Sequence, residues 1–360
     1  MSVLLNRPLK PNLAKLTKYI ENVNEAGWYT NFGPLHQELT SRLEQYLGVK
    51  NLLLVSNGTV ALQVAYKTLN TKKALTTPFT FVATASSMLW QGIDTAFSDI
   101  NSKSYNLCPI KAEHSLIESP DIDTIVATHV YGNPCDVEAF TRIANNHGVK
   151  VIYDAAHAFG VDVGNDSILT YGDASTLSFH ATKVFHTVEG GAIVFKSKDD
   201  YETAKKLINF GIQNDGSLGA AGINGKLNEY QCAVGLTILD EIEEVILHRS
   251  GLFKAYRDGL SGVVGFPEWH SSATLNGAYM PIYVEDSLKF EKLLHFLEVS
   301  NIQCKRYFTP SLDKAYPNQK NYGSTHSNRI AENVICLPLH YYMASDDVEI
   351  VIEKVKEALL

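Results

Sequence analysis

The stretch SFHATKVFHTVEGGAIVF, residues 178 to 195, sets one lysine, Lys183, between a strand-like opening and a Gly-Gly pair that leads into a second apolar strand. A lysine buried at such a place has a lowered pKa, and as a free amine it is a nucleophile towards aldehydes. A loop lysine reaching solvent is the competing reading. Ser178 and His180 stand close by in the same stretch. In VIYDAAHAFG, residues 151 to 160, Asp154 ends a strand-like run and His157 follows after two alanines. A carboxylate at that depth needs a cation or hydrogen bonds, unless it is a helix N-cap beside a packed core histidine. In VSNGTVAL, residues 55 to 62, a strand gives way to a turn at Ser56–Thr59 and then to a helix. Free amides and the helix dipole suit an anion there, with the hydroxyl of Ser56 or Thr59 to help. A plain N-cap would need no ligand. Neither G-x-x-x-x-G-K-[ST] nor a G-x-G-x-x-G after a strand occurs in the chain.

The three stretches fit one small molecule: a phosphate at Gly58 and Thr59, a cationic ring nitrogen against Asp154, and an aldehyde bonded to Lys183. Pyridoxal 5′-phosphate (PLP) carries all three features. A carboxylate that keeps its pyridine nitrogen protonated lets the ring accept electrons from a substrate carbanion.

The elements that must position these residues alternate. NLLLVS, TAFSDI, TIVATHVYG and KVIYDAA are apolar runs of strand length, each followed by polar or helical residues, while HQELTSRLEQYLGV and TVALQVAYKTLN have helical spacing. ALTTPFTFVATASSMLW reads as strand, turn and helix. This alternation predicts right-handed crossovers, a mainly parallel sheet, and a site beyond the carboxyl ends of its strands. Near residue 235 the pattern changes. VGLTILDEIEEVILHRSGLFKAYRDGLSG predicts one long amphipathic helix; strands YMPIYV and VICLPLH and helices KFEKLLHFLEVS and DVEIVIEKVKEALL follow. The expected division is a large domain over 1–235 and a smaller C-terminal α/β domain over 236–360.

Composition sets outer bounds. With 360 residues, 45% hydrophobic and 19% charged, the chain is of ordinary globular type. A net charge of −8 argues against a nucleic-acid partner. The five cysteines (Cys108, Cys135, Cys232, Cys304, Cys336) form no C-x-x-C pair, so neither a disulfide framework nor a metal site is expected. No apolar run nears the ~20 residues of a membrane helix, and the opening MSVLLNRPLKP lacks the features of a secretory signal. A cytoplasmic protein is the expectation.

In the order GWYTNFGP, SNGTVAL, TPFTFVAT, THVYGNPCDV, DAAHAFG, SFHATK…EGG, GINGKLNEYQCAVGL and LPLH, the chain resembles the sugar-nucleotide aminotransferases of the DegT/DnrJ/EryC1/StrS family along essentially its whole length. The resemblance implies the aspartate aminotransferase-like PLP fold type I. It implies that Lys183 bonds the cofactor aldehyde and later moves the substrate proton. Asp154 would meet the ring nitrogen, His157 would lie near the ring oxygen, and Phe81 would stack on the ring. Gly58, Thr59 and Ser178 would hold the phosphate. Asn224 resembles the asparagine that reaches the neighbouring subunit's cofactor, which implies a homodimer with its sites at the interface. Tyr29 (beside Trp28), Arg306 and Tyr307 fall in segments lining the family's substrate cleft, where an arginine suits a diphosphate or carboxylate and an aromatic suits a base. His186 departs from the commoner family pattern and is expected either towards the sugar or in a solvated loop.

Some members of the family are dehydratases with histidine in place of the lysine; retention of Lys183 favours transamination. FHATK, in place of a YPGK form associated with 3-amino-sugar members, favours amination at C4. The specific expectation is conversion of dTDP-4-keto-6-deoxy-D-glucose to dTDP-4-amino-4,6-dideoxy-D-glucose, with L-glutamate as donor and pyridoxamine 5′-phosphate as the carrier of nitrogen. The product would serve a bacterial surface polysaccharide such as O-antigen. A 3-aminotransferase, a dehydratase on the same sugars, or a non-catalytic PLP-binding regulator are the alternatives.

Overall fold

The strand β1 (Leu52–Val55) shows what turns these apolar runs into a sheet. All four of its side chains are buried; Leu52 and Leu54 enter one core, Leu53 and Val55 another. The same alternation recurs in later strands, with Val151 and Tyr153 on one face and Ile152 on the other. A period of two between two apolar faces requires a sheet covered on both sides. The computed structural model describes residues 2–360. Its further strands are β2 (Lys73–Thr76), β3 (Asp94–Phe97), β4 (Thr124–Thr128), β5 (Lys150–Asp154), the small hairpin β6 (Asp162–Val163) and β7 (Asp166–Ser167), β8 (Ala174–Ser178), β9 (Gly191–Phe195), β10 (Met280–Tyr283), β11 (Lys320–Asn321) and β12 (Val334–Leu337).

The main sheet has the order β1–β9–β8–β5–β4–β2–β3–β11. Every strand in it runs the same way except β9, which is antiparallel to both its neighbours. The reason lies in the link that holds Lys183: residues 179–190 contain no helix, and without a crossover the chain can return only antiparallel. The carboxyl ends of β1, β2, β4, β5 and β8 therefore open on one edge of the sheet.

One predicted element differs. The expected single helix over 234–262 is two, Glu229–Leu239 and Ile242–Gly259. The break is tied down at Asp240, whose carboxylate pairs with Arg42 at 2.7 Å and Lys15 at 3.0 Å. The first helix is buried nearly all round in the large core. The second changes core along its length: Ile242 and Val245 belong to the first, Leu252 and Phe253 to another built on β10, β12 and the helices Ser287–Val299 and Ser345–Leu359. Val3 also packs into this second core. No helix among the described residues is long and apolar enough to cross a membrane.

Asp99, just after β3, joins the sheet to the C-terminal part. Its buried carboxylate accepts from Lys111 Nζ (2.8 Å), from the backbone amides of His326 (3.0 Å) and Ser327 (2.8 Å), and from Ser327 Oγ (2.7 Å). The two amides open the helix Thr325–Asn333, whose dipole favours an anion there. Burial alone would raise the pKa, but these donors outweigh it and hold it at about 2, against 3.8 ordinarily. A depressed folded-state pKa contributes stability above the unfolded value, lost as pH falls towards the folded one. Asp99→Asn is therefore expected to cost roughly 2 kcal/mol near neutral pH. In urea unfolding, the gap to wild type should close as pH drops from about 4 to about 2.

Candidate active site

The strand ends surround a cavity of about 620 Å³. Gly58, Thr59, Phe81, Asp154, His157, Ser178, Lys183 and Tyr307 all line it, so eight of the twelve residues to which the family resemblance gives an expected place meet in one space, with His180 beside them.

At one side the helix Gly58–Thr68 begins. Its N-cap is Asn57, whose side chain accepts from the Val60 amide at 2.9 Å. That bond leaves the amides of Gly58 and Thr59 without a partner among the described residues. A Cβ on Gly58 would stand 2.8 Å from Ser178 Cβ, so only glycine lets the helix start come flush against the end of β8. Two unclaimed amides, a dipole and the hydroxyls of Thr59 and Ser178 make a cradle that fits a phosphate.

Asp154 ends β5 and is 5% exposed. Its Oδ2 accepts from Thr84 Oγ1 at 2.7 Å and its Oδ1 from the Ala156 amide at 3.1 Å. Behind Thr84 runs a chain of buried hydroxyls, with Thr80 2.9 Å from both Thr84 and Thr128. Burial raises the carboxyl pKa, opposed by Thr84, Ala156 and the charge of Lys183. No ion pair involves Asp154 among the described residues. A buried carboxylate lacking a contacting cation, at the floor of a cavity, fits a cationic ring nitrogen.

Lys183 reaches the cavity from the helix-free link. Burial lowers its pKa to about 8, with Asp154 pulling upward. Its Nζ lies 3.5 Å from Tyr279 Oη. His157 accepts from the Tyr131 amide through Nδ1 at 3.2 Å, which leaves the ring hydrogen on Nε2. Burial, then Lys183, hold this imidazole neutral. Its ring lies near parallel to Phe308 at 5.9 Å and edge-on to Tyr279 at 4.6 Å. Phe81, at the N-cap of the helix Val82–Trp90, is 49% exposed and offers a free aromatic face to the cavity. Cradle, carboxylate, amine and aromatic thus fit PLP from phosphate to aldehyde.

Four expected residues do not join them within one chain. His186 is a correction: it faces neither sugar nor solvent. It is 3% exposed, its Nε2 is 2.8 Å from the Leu9 carbonyl and its Nδ1 accepts from the Val188 amide at 3.2 Å, so it pins the N-terminal segment. Arg306 is a second correction. Its guanidinium donates to the Glu332 carbonyl at 2.7 Å and covers Phe290, while the neighbours Lys305 and Tyr307 line the cavity. Successive residues of an extended segment point to opposite sides, and the cavity side falls to 305 and 307. Tyr29 packs beside Tyr230 at 5.9 Å on the exterior. Asn224 is exposed on the loop that pairs with Asn209. Sequence reading missed Tyr279, Lys305, Phe308 and Glu189 as lining residues; Tyr279 is 96 residues from the lysine it approaches, and nothing local marks it.

The sequence pattern of the DegT/DnrJ/EryC1/StrS aminotransferase family matches residues 13–356. The chain belongs to that family. It is 38% identical to a dTDP-4-amino-4,6-dideoxy-D-glucose transaminase of Shigella dysenteriae over 99% of this chain and 98% of the relative. An Escherichia coli protein of the same name is 34% identical over 100% and 98%. A crystal structure of DesI in the presence of its TDP-sugar product superimposes with a TM-score of 0.93 at 28% identity, covering 99% of this chain and 93% of that one. The enzyme is a PLP-dependent aminotransferase of fold type I.

Filling the cradle tests its assignment. Gly58→Ala is expected to raise the PLP dissociation constant at least about tenfold through the clash with Ser178, measured by absorbance titration of the apo-enzyme.

Proposed function

We propose that the enzyme moves the amino group of L-glutamate to C4 of dTDP-4-keto-6-deoxy-D-glucose, giving dTDP-4-amino-4,6-dideoxy-D-glucose in the cytoplasm for a bacterial surface polysaccharide. The observation that carries this reading is end-to-end similarity, at 38% identity, to a transaminase named for that amino sugar, in a chain that keeps Lys183 in the cavity.

Bound PLP supplies an aldehyde for amine exchange and an electron sink for the carbanion. The protein supplies the rest. Asp154 would face the ring nitrogen and hold a proton there. The amides of Gly58 and Thr59, with Ser178, would take the phosphate, and Phe81 would cover the ring. His157 Nε2–H would donate to the ring oxygen. Lys183 Nζ, with a pKa of about 8, is partly free amine near neutrality; once amine exchange releases it, it takes the proton from the nitrogen-bearing carbon of glutamate. The same group would give that proton up again within the closed site, so none would be lost to water. With the keto sugar it runs the same transfer in reverse. Lys305, the cavity's other lysine, supplies positive charge for an anionic part of substrate, the role expected of Arg306. Asn224 and Tyr29, exposed on one chain, suit a homodimer in which each reaches the other subunit's cavity.

Lys183→Ala is expected to abolish the visible band of the lysine-linked cofactor and to lower kcat by at least about a thousandfold. With the wild type, product NMR should place nitrogen on C4 and show one 2-oxoglutarate per amino sugar. Nitrogen on C3, or a deoxygenated sugar without 2-oxoglutarate, would overturn the reading. Uptake of PLP by the apo-enzyme should quicken with pH through about 8 and level off above it, because the amine attacks unprotonated.

A further inference from the structure

Resting on that reading, we propose that Tyr279 is a catalytic residue whose hydroxyl receives Lys183 as an ammonium each time the lysine takes up the substrate proton, and that buried Arg249 is the positioning residue that holds it there.

Tyr279 is held from several directions. Arg249 is 4% exposed and has no carboxylate partner among the described residues. Instead its Nε donates to the Gly277 carbonyl at 3.0 Å and its guanidinium to the Ala278 carbonyl at 3.1 Å. Burial lowers its pKa to about 10, so it keeps its charge. A buried guanidinium spent on two backbone carbonyls is a costly way to fix a loop, and the loop it fixes ends in Tyr279. Asn276 ties the same turn to the wall of the site. It donates to the carbonyls of His157 (2.9 Å) and Phe159 (3.0 Å) and accepts from the Ala278 amide (3.0 Å). Gly277 has φ +60, and a Cβ there would stand 2.7 Å from the Arg249 backbone. The turn is closed on all sides.

The outcome of this clamp is one contact. Tyr279 Oη lies 3.5 Å from Lys183 Nζ and makes no other hydrogen bond among the described residues. The distance is long for a bond at rest, as catalytic hydrogen bonds in a ligand-free site often are. The groups facing the pair are Asp154, His157, Tyr131, Tyr307, Arg249 and Cys336. Of these only Asp154 draws a proton towards Lys183, and it is committed to the ring nitrogen. Burial keeps the Tyr279 hydroxyl protonated far above neutrality, so it acts as a neutral acceptor for N–H. When Lys183 Nζ takes the substrate proton, the C–H electron pair stays with the substrate, the new ammonium gives one N–H to Tyr279 Oη, and Lys183 then gives that proton up at the position where the transfer is completed, returning to the free amine. A hydrogen bond to the charged form favours it over the free amine.

Tyr279→Phe keeps the ring against His157 and removes only the oxygen. Competitive chemical labelling of Lys183 across pH in the apo-enzyme reads the amine directly. The labelling midpoint is expected to fall by about half a unit or more. In the PLP-loaded enzyme kcat should fall about tenfold or more with KM for both substrates little changed, since the contact forms only after Lys183 is released. The primary isotope effect on glutamate deuterated at the reacting carbon should rise. Arg249→Lys, which loses the two-carbonyl fork, should move the midpoint the same way by less. A wild type that forms no lysine-linked band with PLP would overturn the functional reading itself. A normal band in both proteins, with an unmoved midpoint and unchanged kcat in Tyr279→Phe, would overturn the role of Tyr279 alone.

Discussion

Asp154 is a carboxylate inside the protein with a hydroxyl and an amide to bond and no cation touching it. The rest of the site follows from that constraint. Left alone, burial would drive the carboxyl to take a proton and become neutral. The Thr84 hydroxyl, backed by Thr80 and Thr128, and the distant charge of Lys183 resist this without cancelling it. What remains is a partly stabilised anion that gains most when a positive ring nitrogen arrives. The protein stores binding energy there in the form of an unmet charge.

The fold makes such a residue affordable. Asp154 is the last residue of a central parallel strand, flanked by β4 and β8, so its backbone cannot relax away from the cavity. The strands around it end on the same edge and deliver the helix start at Gly58, the exposed ring of Phe81 and the hydroxyl of Ser178 to one cavity. The single antiparallel strand, β9, is as necessary as the parallel ones. It returns the chain beside β8 through a helix-free link, and that link brings Lys183 over the strand ends. A separate aromatic cluster around Phe308 contributes the opposite wall, where Arg249 and Asn276 hold the turn that ends in Tyr279 beside the lysine.

What could be read from sequence follows the range of the interaction. The cradle, Asp154, His157 and Lys183 each belong to a short strand-end pattern, so their chemistry shows within ten or so residues of chain. The parallel sheet was legible for the same reason, because each strand carries its own burial pattern. Features settled by distant contacts were not. His186 reads as a sugar-facing or a solvated loop histidine until Leu9, 177 residues away, claims its ring. Arg306 outranks Lys305 on paper, yet the pairing of Lys305 with Cys336 sets the register that turns the lysine towards the cavity. The predicted long helix breaks at Asp240 because Arg42 and Lys15, from two N-terminal helices, hold its carboxylate. Tyr279 has no local mark at all.

The chemistry proposed for the site depends on Asp154 keeping the cofactor's ring nitrogen protonated. The most direct measurement is the nitrogen-15 chemical shift of PLP labelled at the ring nitrogen and bound to the enzyme at neutral pH, in wild type and in Asp154→Asn. A protonated nitrogen in wild type that becomes unprotonated in the variant is the predicted result. An unprotonated nitrogen in wild type, or the same protonated shift in both proteins, would contradict the account.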